Sequence, residues 1–326
     1  RERGAAWDRL REIMADPIRY MRAFIWIRGK DKKLRRLDPN EPQLRLYERI
    51  QTEERAGKPV RIVILKARQM GFSTFTEALF FARSVRRRNT HTLIVAHRSD
   101  ATRNLLRMNN LFYNKLPAAI KPMRAASNAS EIIFANPSRD AEEKAKHPGL
   151  ESYIRCMTAG DGIGRSDTTD NLHASEMAFW AGDPEDILLG LMQAMPNLPG
   201  TCAIVESTAN GYNYFQRFWK AAERGENGFV PVFFPWYELQ EYQMEVEPGT
   251  EWTAEELELQ ETYHLTERQL AWRRWCIRTN CGGNVDKFRQ EYPSNPDEAF
   301  LLSGAPFFDN ALVQRLLERM TPPVDE

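Results

Sequence analysis

The sequence predicts an α/β fold built on a mainly parallel sheet, followed by a small, mostly helical C-terminal part. Three observations carry this. Short β-branched apolar runs alternate with helix-length amphipathic segments from about residue 60 to residue 234. The runs are continuously apolar at their centres, as in strands covered on both faces. Past Trp236 the alternation stops and only helical patterns follow.

In chain order, Trp7, Leu10, Ile13 and Met14 fall at helical spacing, broken at Asp16-Pro17, so residues 1 to about 40 are expected to form a helical extension. Leu37-Asp-Pro-Asn-Glu-Pro42 is a turn-rich joint. Arg61 to Leu65 is the first strand, Phe75 to Arg88 a helix, Thr92 to Ala96 a strand and Ser99 to Leu116 a helix. Further strands are expected at Glu131 to Ala135, Tyr153 to Met157, Asn171 to Ala174, Cys202 to Val205 and Phe229 to Phe234, with a helix from Tyr212 to Ala222. Thr253 to Tyr263 and Glu267 to Thr279 read as helices before the turn Pro293-Ser-Asn-Pro296. The expected division is an extension over 1–40, a core over 41–236 and a helical lid or linker over 237–326.

With 326 residues the chain is long enough for about two domains. At 42% hydrophobic residues it can bury a large core, which excludes a disordered or fibrous chain. The formal charge is zero, 45 basic against 45 acidic residues, which taken alone argues against a nucleic-acid partner. The charges are segregated, however. Trp236 to Thr262 holds nine Glu and no Lys, Arg or Asp. Lys66 to Arg124 holds twelve basic residues against Glu77 and Asp100, a local charge of +10, and Arg19 to Arg36 holds eight against Asp31. Either run could be no more than a solvated surface.

Cys156, Cys202, Cys276 and Cys281 lack the spacing of a zinc site and are expected to be reduced structural thiols. No apolar run approaches the roughly 20 residues of a membrane span, and no signal-peptide pattern opens the chain. A soluble intracellular protein is expected. Arg1, not Met, opens the sequence, consistent with a fragment.

The first strand runs into Lys66-Ala-Arg-Gln-Met-Gly-Phe-Ser-Thr74 and then into a helix. Strand, Gly-containing loop and Ser/Thr at a helix start form a phosphate cradle, because backbone N–H groups converge on the anion and the helix dipole favours it. Against the ordinary pattern G-x-x-x-x-G-K-[ST], Gly71 and Ser73 fit, while Lys66 stands at the first Gly and Phe72 at the Lys. Lys66 reaching across the loop, with Arg68 as a second donor, could supply the missing charge, and Ser73 could ligate Mg²⁺. Without a ligand, the same segment is a strand–turn–helix with a basic turn.

Nucleotide hydrolysis also needs a carboxylate to position water. Asn171-Leu-His-Ala-Ser-Glu176 ends a strand in Ser175-Glu176, where many ATPases carry Asp-Glu. With Ser175 in the Asp position, metal binding there is expected to be weaker or water-mediated. A third strand ends in Glu206-Ser-Thr-Ala-Asn-Gly211, small polar groups at the sheet edge where ligands bind in such folds, or alternatively a helix cap.

In this order, the pieces resemble the large terminase subunit of tailed bacteriophages, the ATP-driven DNA-packaging motor. The resemblance rests on Pro42-Gln43, Lys66 to Thr74, Leu172-His-Ala-Ser-Glu-Met-Ala-Phe-Trp180, Ser207-Thr-Ala-Asn-Gly211 and Gln290-Glu-Tyr-Pro-Ser-Asn-Pro-Asp-Glu-Ala-Phe300. It implies a P-loop NTPase sheet of the additional-strand, RecA-like type. It implies an ATP site formed by Gln43, which would read the adenine edge, and by Lys66, Ala67, Arg68, Gln69, Met70, Gly71, Phe72, Ser73 and Thr74. Ser73 and Ser175 would face Mg²⁺, Glu176 would be the catalytic carboxylate, and Ser207, Thr208 and Asn210 would couple hydrolysis to domain movement.

Arg165 is a candidate arginine finger or, equally, a surface Arg in an ion pair. Candidate DNA contacts, made to the phosphate backbone, are Arg86, Arg87, Arg88, Arg98, Arg103 and Arg107. The implied partners are double-stranded DNA, a portal protein, a small terminase subunit and further copies in a ring on the procapsid, in the host cell cytoplasm.

The family's nuclease domain is not expected in this sequence: seventeen residues follow Gly304-Ala-Pro-Phe-Phe-Asp309, and Asp309 is not read as a nuclease carboxylate. Two other classes remain open, a helicase-like translocase and a non-catalytic scaffold with a degenerate nucleotide site.

Overall fold

The computed structural model of the chain describes residues 2–160 and 168–300, with side chains from residue 7 onward. Arg165 and the segment 304–309 therefore lie outside the described residues. Helix α1 (Glu2–Ala15) gives way at Asp16, whose carboxylate accepts from the Ile18 and Arg19 N–H groups and caps α2 (Pro17–Phe24). The chain then departs from an all-helical extension. Trp26–Arg28 (β1) and Leu34–Arg36 (β2) pair antiparallel in a hairpin. The physical reason lies in Trp-Ile followed by the turn Gly29-Lys-Asp-Lys32, in which Lys32 has a φ of 65°.

Asn40 and Gln43 form a capping box that starts α3 (Glu41–Arg55). The core then alternates: β3 (Val60–Lys66), α4 (Phe72–Ser84), β4 (His91–Ala96), α5 (Ser99–Lys115), β5 (Ala126–Ser127), β6 (Glu131–Ala135), α6 (Ala141–Lys146) and β7 (Gly149–Thr158). After the undescribed segment come β8 (Asn171–Ser175), α7 (Pro184–Gln193), β9 (Cys202–Ser207), α8 (Tyr214–Glu223) and β10 (Val230–Phe234). Helix α7 has no counterpart among the sequence-based expectations, although Asp183-Pro184 supplies an N-cap and a Pro start, with Asp183 accepting from Glu185 and Asp186. Four helices close the described chain: α9 (Ala254–Tyr263), α10 (Glu267–Asn280), α11 (Val285–Glu291) and α12 (Pro296–Ala299).

The eight-stranded sheet has the order β10-β3-β9-β8-β4-β7-β6-β5. It is parallel from β10 to β7, and β6 and β5 add antiparallel at the far edge. Every residue of β3 is buried. Ile62 and Ile64 join one core with α3, α4 and α5, while Val63 and Leu65 join a second with α7 and α8. Two-sided burial explains the uninterrupted apolar run. The parallel arrangement places the C-terminal ends of β3, β8 and β9 side by side on one edge. There Lys66, Ser175 and Ser207 meet.

The C-terminal helices are not a separate body. Trp236 stacks on Trp272 at 5.3 Å, Trp272 on Tyr242 at 4.2 Å, and Phe288 and Tyr292 complete an aromatic cluster continuous with the first core. Each such aromatic pair adds about 0.5–1.5 kcal/mol beyond its buried area. Five of the nine glutamates of the acidic segment pair within the chain: Glu238 with Arg45, Glu241 with Lys30, Glu245 with Arg268, Glu255 with Arg273 and Glu256 with Arg274. No helix among the described residues is long and apolar enough to cross a membrane.

All four cysteines are free and buried. Burial raises each thiol above its ordinary value, Cys276 to about 12. The folded chain is therefore expected to resist a disulfide reagent such as DTNB at pH 8, with all four thiols appearing together as denaturant unfolds it. Labelling of any thiol well before the unfolding midpoint would contradict this packing.

Candidate active site

β3 delivers Lys66 to the sheet edge, and the chain turns through residues 67–71 into α4. The turn needs left-handed backbone at Gln69 (φ 57°) and Gly71 (φ 79°). A Cβ on Gly71 would lie 2.7 Å from Gln43 Nε2, the far end of a side chain, so it is the left-handed conformation that calls for glycine. Gly71 stands at the N-cap of α4 with no side-chain cap, leaving the first-turn N–H groups open.

Within this loop the side chains take different directions. Ala67, Met70 and Phe72 are buried. The Phe72 ring packs on Phe234 at 4.2 Å, so the residue in the usual Lys position belongs to the core. Gln43 donates through Nε2 to the carbonyls of Met70 (3.3 Å) and Gly71 (2.9 Å), tying α3 to the loop. Thr74 and Gln69 line a cavity of about 540 Å³ that also borders Gln43, Asn40, Arg36 and the hairpin.

Lys66 is 4% exposed and ends between two carboxylates, 2.8 Å from Glu176 Oε1 and 3.8 Å from Glu206 Oε2. Burial alone would strip its proton, but the two carboxylates outweigh burial and hold it more tightly than in a free lysine. Glu176 sits at the start of a 3₁₀ turn with φ 51° and ψ 49°, a left-handed conformation that costs a non-Gly residue about 1–3 kcal/mol. Its Oε2 accepts from the Thr208 N–H (3.3 Å) and from the Ser207 hydroxyl (3.4 Å). A second cavity, of about 490 Å³, opens on this carboxylate and is lined also by Arg68, His97, Arg98, Phe179, Thr208 and Glu291.

Behind the loop runs a buried chain of charges that motif reading alone does not find. Ser73 Oγ and Ser175 Oγ both donate to Glu206 Oε1, the latter at 3.3 Å. His173 bridges Glu206 (3.0 Å) and Glu77 (2.6 Å), and Asn109 donates to Glu77. Burial opposes charge on His173, but hydrogen bonds to both carboxylates prevail and raise it to about 9. Burial likewise opposes charge on Glu206, yet Lys66 and His173 hold it well below the usual carboxylate range. Glu77, more weakly compensated, is pushed up by burial. The available signal was register: β8 and β9 pair Ser175 with Glu206 and His173 with Ile204, placing His173 beside Glu206 only once the sheet is built.

Asn210 donates to the Ala178 carbonyl (3.1 Å), not to Glu176. Arg68 faces the second cavity, where its guanidinium pairs with Glu291 at 2.9 Å, its N–H donates to the Glu291 carbonyl, and its carbonyl accepts from Tyr242.

The six arginines considered for DNA do not share a face. Arg86 is spent internally on the Ala82 and Met14 carbonyls and over the Tyr20 ring. Exposed Arg87 and Arg88 precede β4, whereas Arg98 follows it, paired with Asp100 on the rim of the Glu176 cavity. A six-residue strand separates these groups by about 16–20 Å. Arg103 and Arg107 are exposed and, four residues apart, share a stripe of α5.

No family model and no curated protein matches the chain. Solved structures do. The HK97 bacteriophage large terminase superimposes with a TM-score of 0.57 at 14% identity, over 86% of this chain and 54% of that one. A mutant ATPase domain of the Thermus phage P74-26 large terminase superimposes with a TM-score of 0.50 at 15% identity, over 78% of this chain and 93% of that domain. The chain thus spans about half the length of the HK97 protein and shares the fold of phage terminase ATPase domains.

Glu77→Ala removes the acceptor of both His173 and Asn109 and is expected to cost about 3–5 kcal/mol of unfolding free energy. Ser175→Ala, losing one 3.3 Å hydrogen bond, is expected to cost about 1 kcal/mol. Urea unfolding of both variants checks the difference.

Proposed function

We propose that this chain is the ATPase motor portion of a phage large terminase, coupling ATP hydrolysis to movement of double-stranded DNA into a procapsid. The carrying observation is the buried Lys66 ammonium, held between Glu176 and Glu206 beneath an uncapped helix start. In this reading the triphosphate lies along residues 66–74, with Lys66 and Arg68 as cationic donors and the α4 N–H groups as anion ligands. The nucleoside occupies the hairpin-side cavity near Gln43.

The donor set fits Mg²⁺. Ser73, Ser175 and Glu206 offer hard oxygens, and one Glu206 oxygen is buried without a hydrogen-bond partner. Among the described residues no group of three or more His, Cys, Asp or Glu could hold a metal unaided. When bound, Mg²⁺ neutralises charge on the β- and γ-phosphates.

Phosphate oxygens compete with Glu176 for Lys66, and so free that carboxylate to orient a water and take its proton. The water oxygen bonds to the γ-phosphorus as the bond to the ADP oxygen breaks, releasing ADP and phosphate. Ser207 and Thr208, bonded to Glu176, and Asn210 relay the change toward the C-terminal helices. Arg165 acts from a neighbouring copy in a ring seated on a portal, and a small terminase subunit delivers the DNA.

Glu176→Gln is expected to lower turnover about 10²–10⁴-fold while nucleotide binding persists. Unchanged turnover would remove Glu176 from the mechanism, and no turnover in the parent chain would favour a non-catalytic scaffold.

DNA contacts fall on the α5 stripe. Arg103→Glu with Arg107→Glu should weaken binding to any duplex sequence and flatten its salt dependence by about one unit of slope per arginine. If only Arg87→Glu with Arg88→Glu does so, the DNA face lies at the opposite sheet edge.

A further inference from the structure

The ordinary arrangement places a metal-shell carboxylate at the end of the strand that carries the catalytic glutamate, but Ser175 stands there in this chain. We infer that Glu206, on the neighbouring strand β9, has taken over as the carboxylate of the Mg²⁺ shell. This inference rests on the nucleotide-site reading above. β9 lies between β3 and β8, so its C-terminal end is one strand spacing, about 4.8 Å, nearer the phosphate loop than that of β8. From β9, Glu206 accepts directly from the Ser73 hydroxyl at the start of α4.

Three further features fit a metal-shell group better than a structural acid. Glu206 is fully buried, yet its Oε2 has no hydrogen-bond partner and only a 3.8 Å approach from Lys66. Ser175 retains a hydroxyl, which donates to the same carboxylate, so the vacated position supports the new one. His173 fixes the far side of Glu206 and is itself held by Glu77, the kind of outer support that orients metal-shell ligands. A triphosphate would add negative charge beside Glu176 and Glu206, and a divalent cation held there would relieve that repulsion.

The test measures ADP and ATP affinity by calorimetry with Mg²⁺ and with EDTA, and Mn²⁺ affinity of the nucleotide-loaded chain by electron paramagnetic resonance. Glu206→Gln should weaken Mn²⁺ binding about 10–100-fold and largely abolish the gain in nucleotide affinity that Mg²⁺ gives over EDTA. Ser175→Ala should change Mn²⁺ affinity far less, and adding Ser175→Asp to Glu206→Gln should restore much of it by moving the carboxylate back to β8. If Glu206→Gln does not fold by circular dichroism, Glu206→Asp serves, and its arm, one methylene shorter, should weaken Mn²⁺ binding while keeping the charge.

Nucleotide binding with Mn²⁺ affinity unchanged in Glu206→Gln, or in Glu206→Asp where that variant serves, overturns this inference and leaves the nucleotide site standing. Failure of the parent chain to bind nucleotide at all overturns both.

Discussion

A single buried ammonium organises the site. β3 is sealed on both faces and ends in Lys66, which cannot stay charged at 4% exposure without partners. Its two carboxylates answer that demand and create another, since Glu206 is itself wholly buried. His173 answers for Glu206, Glu77 for His173 and Asn109 for Glu77. The sequence of obligations runs from the sheet edge into the space between α4 and α5, so the two helices covering the loop are positioned by the same charges. Such a network is stable only when complete, because removing one partner strands the next in a low-dielectric interior.

The opposite side of the loop is controlled by packing. Phe72 fills the space against Phe234 at the end of β10, and the aromatic cluster of Trp236, Tyr242, Trp272, Phe288 and Tyr292 continues from there. Polar contacts on one side and aromatic contacts on the other hold the backbone between Ala67 and Gly71. The open N–H groups of α4 therefore face a fixed direction, which is what an anion site needs, because rearranging the donors would cost part of the binding energy.

Much of this was legible in the residues. The strand–loop–helix around Lys66, the alternation that makes the sheet and the placing of Glu176 at a strand end all follow from local pattern, and each is a property of contiguous residues. What escaped is what the sheet assembles. Glu77, His173 and Glu206 are separated by 96 and 33 residues, and no local period relates a helix-borne Glu to a His two strands away. The β1–β2 hairpin escaped because its strands are three residues each, too short to show a period. Charge counting grouped Arg86, Arg87, Arg88 and Arg98 as one run. The fold sends them to the interior, one edge and the other edge, because a strand crosses the sheet between them.

Arg68 carries a last consequence. Its N–H, carbonyl and guanidinium are all engaged by the C-terminal segment, through Glu291 and Tyr242, while Gln290 donates to the Ala209 carbonyl beyond β9. The helices after β10 are thus sewn to two of the loops that frame the Glu176 carboxylate. A chain trimmed at the end of the sheet would lose a wall of the cavity beside Glu176 and bare Phe234 and Trp236 to water. Any swing of the C-terminal helices must either drag the loop of residues 67–71 along or first unpick these stitches at Arg68.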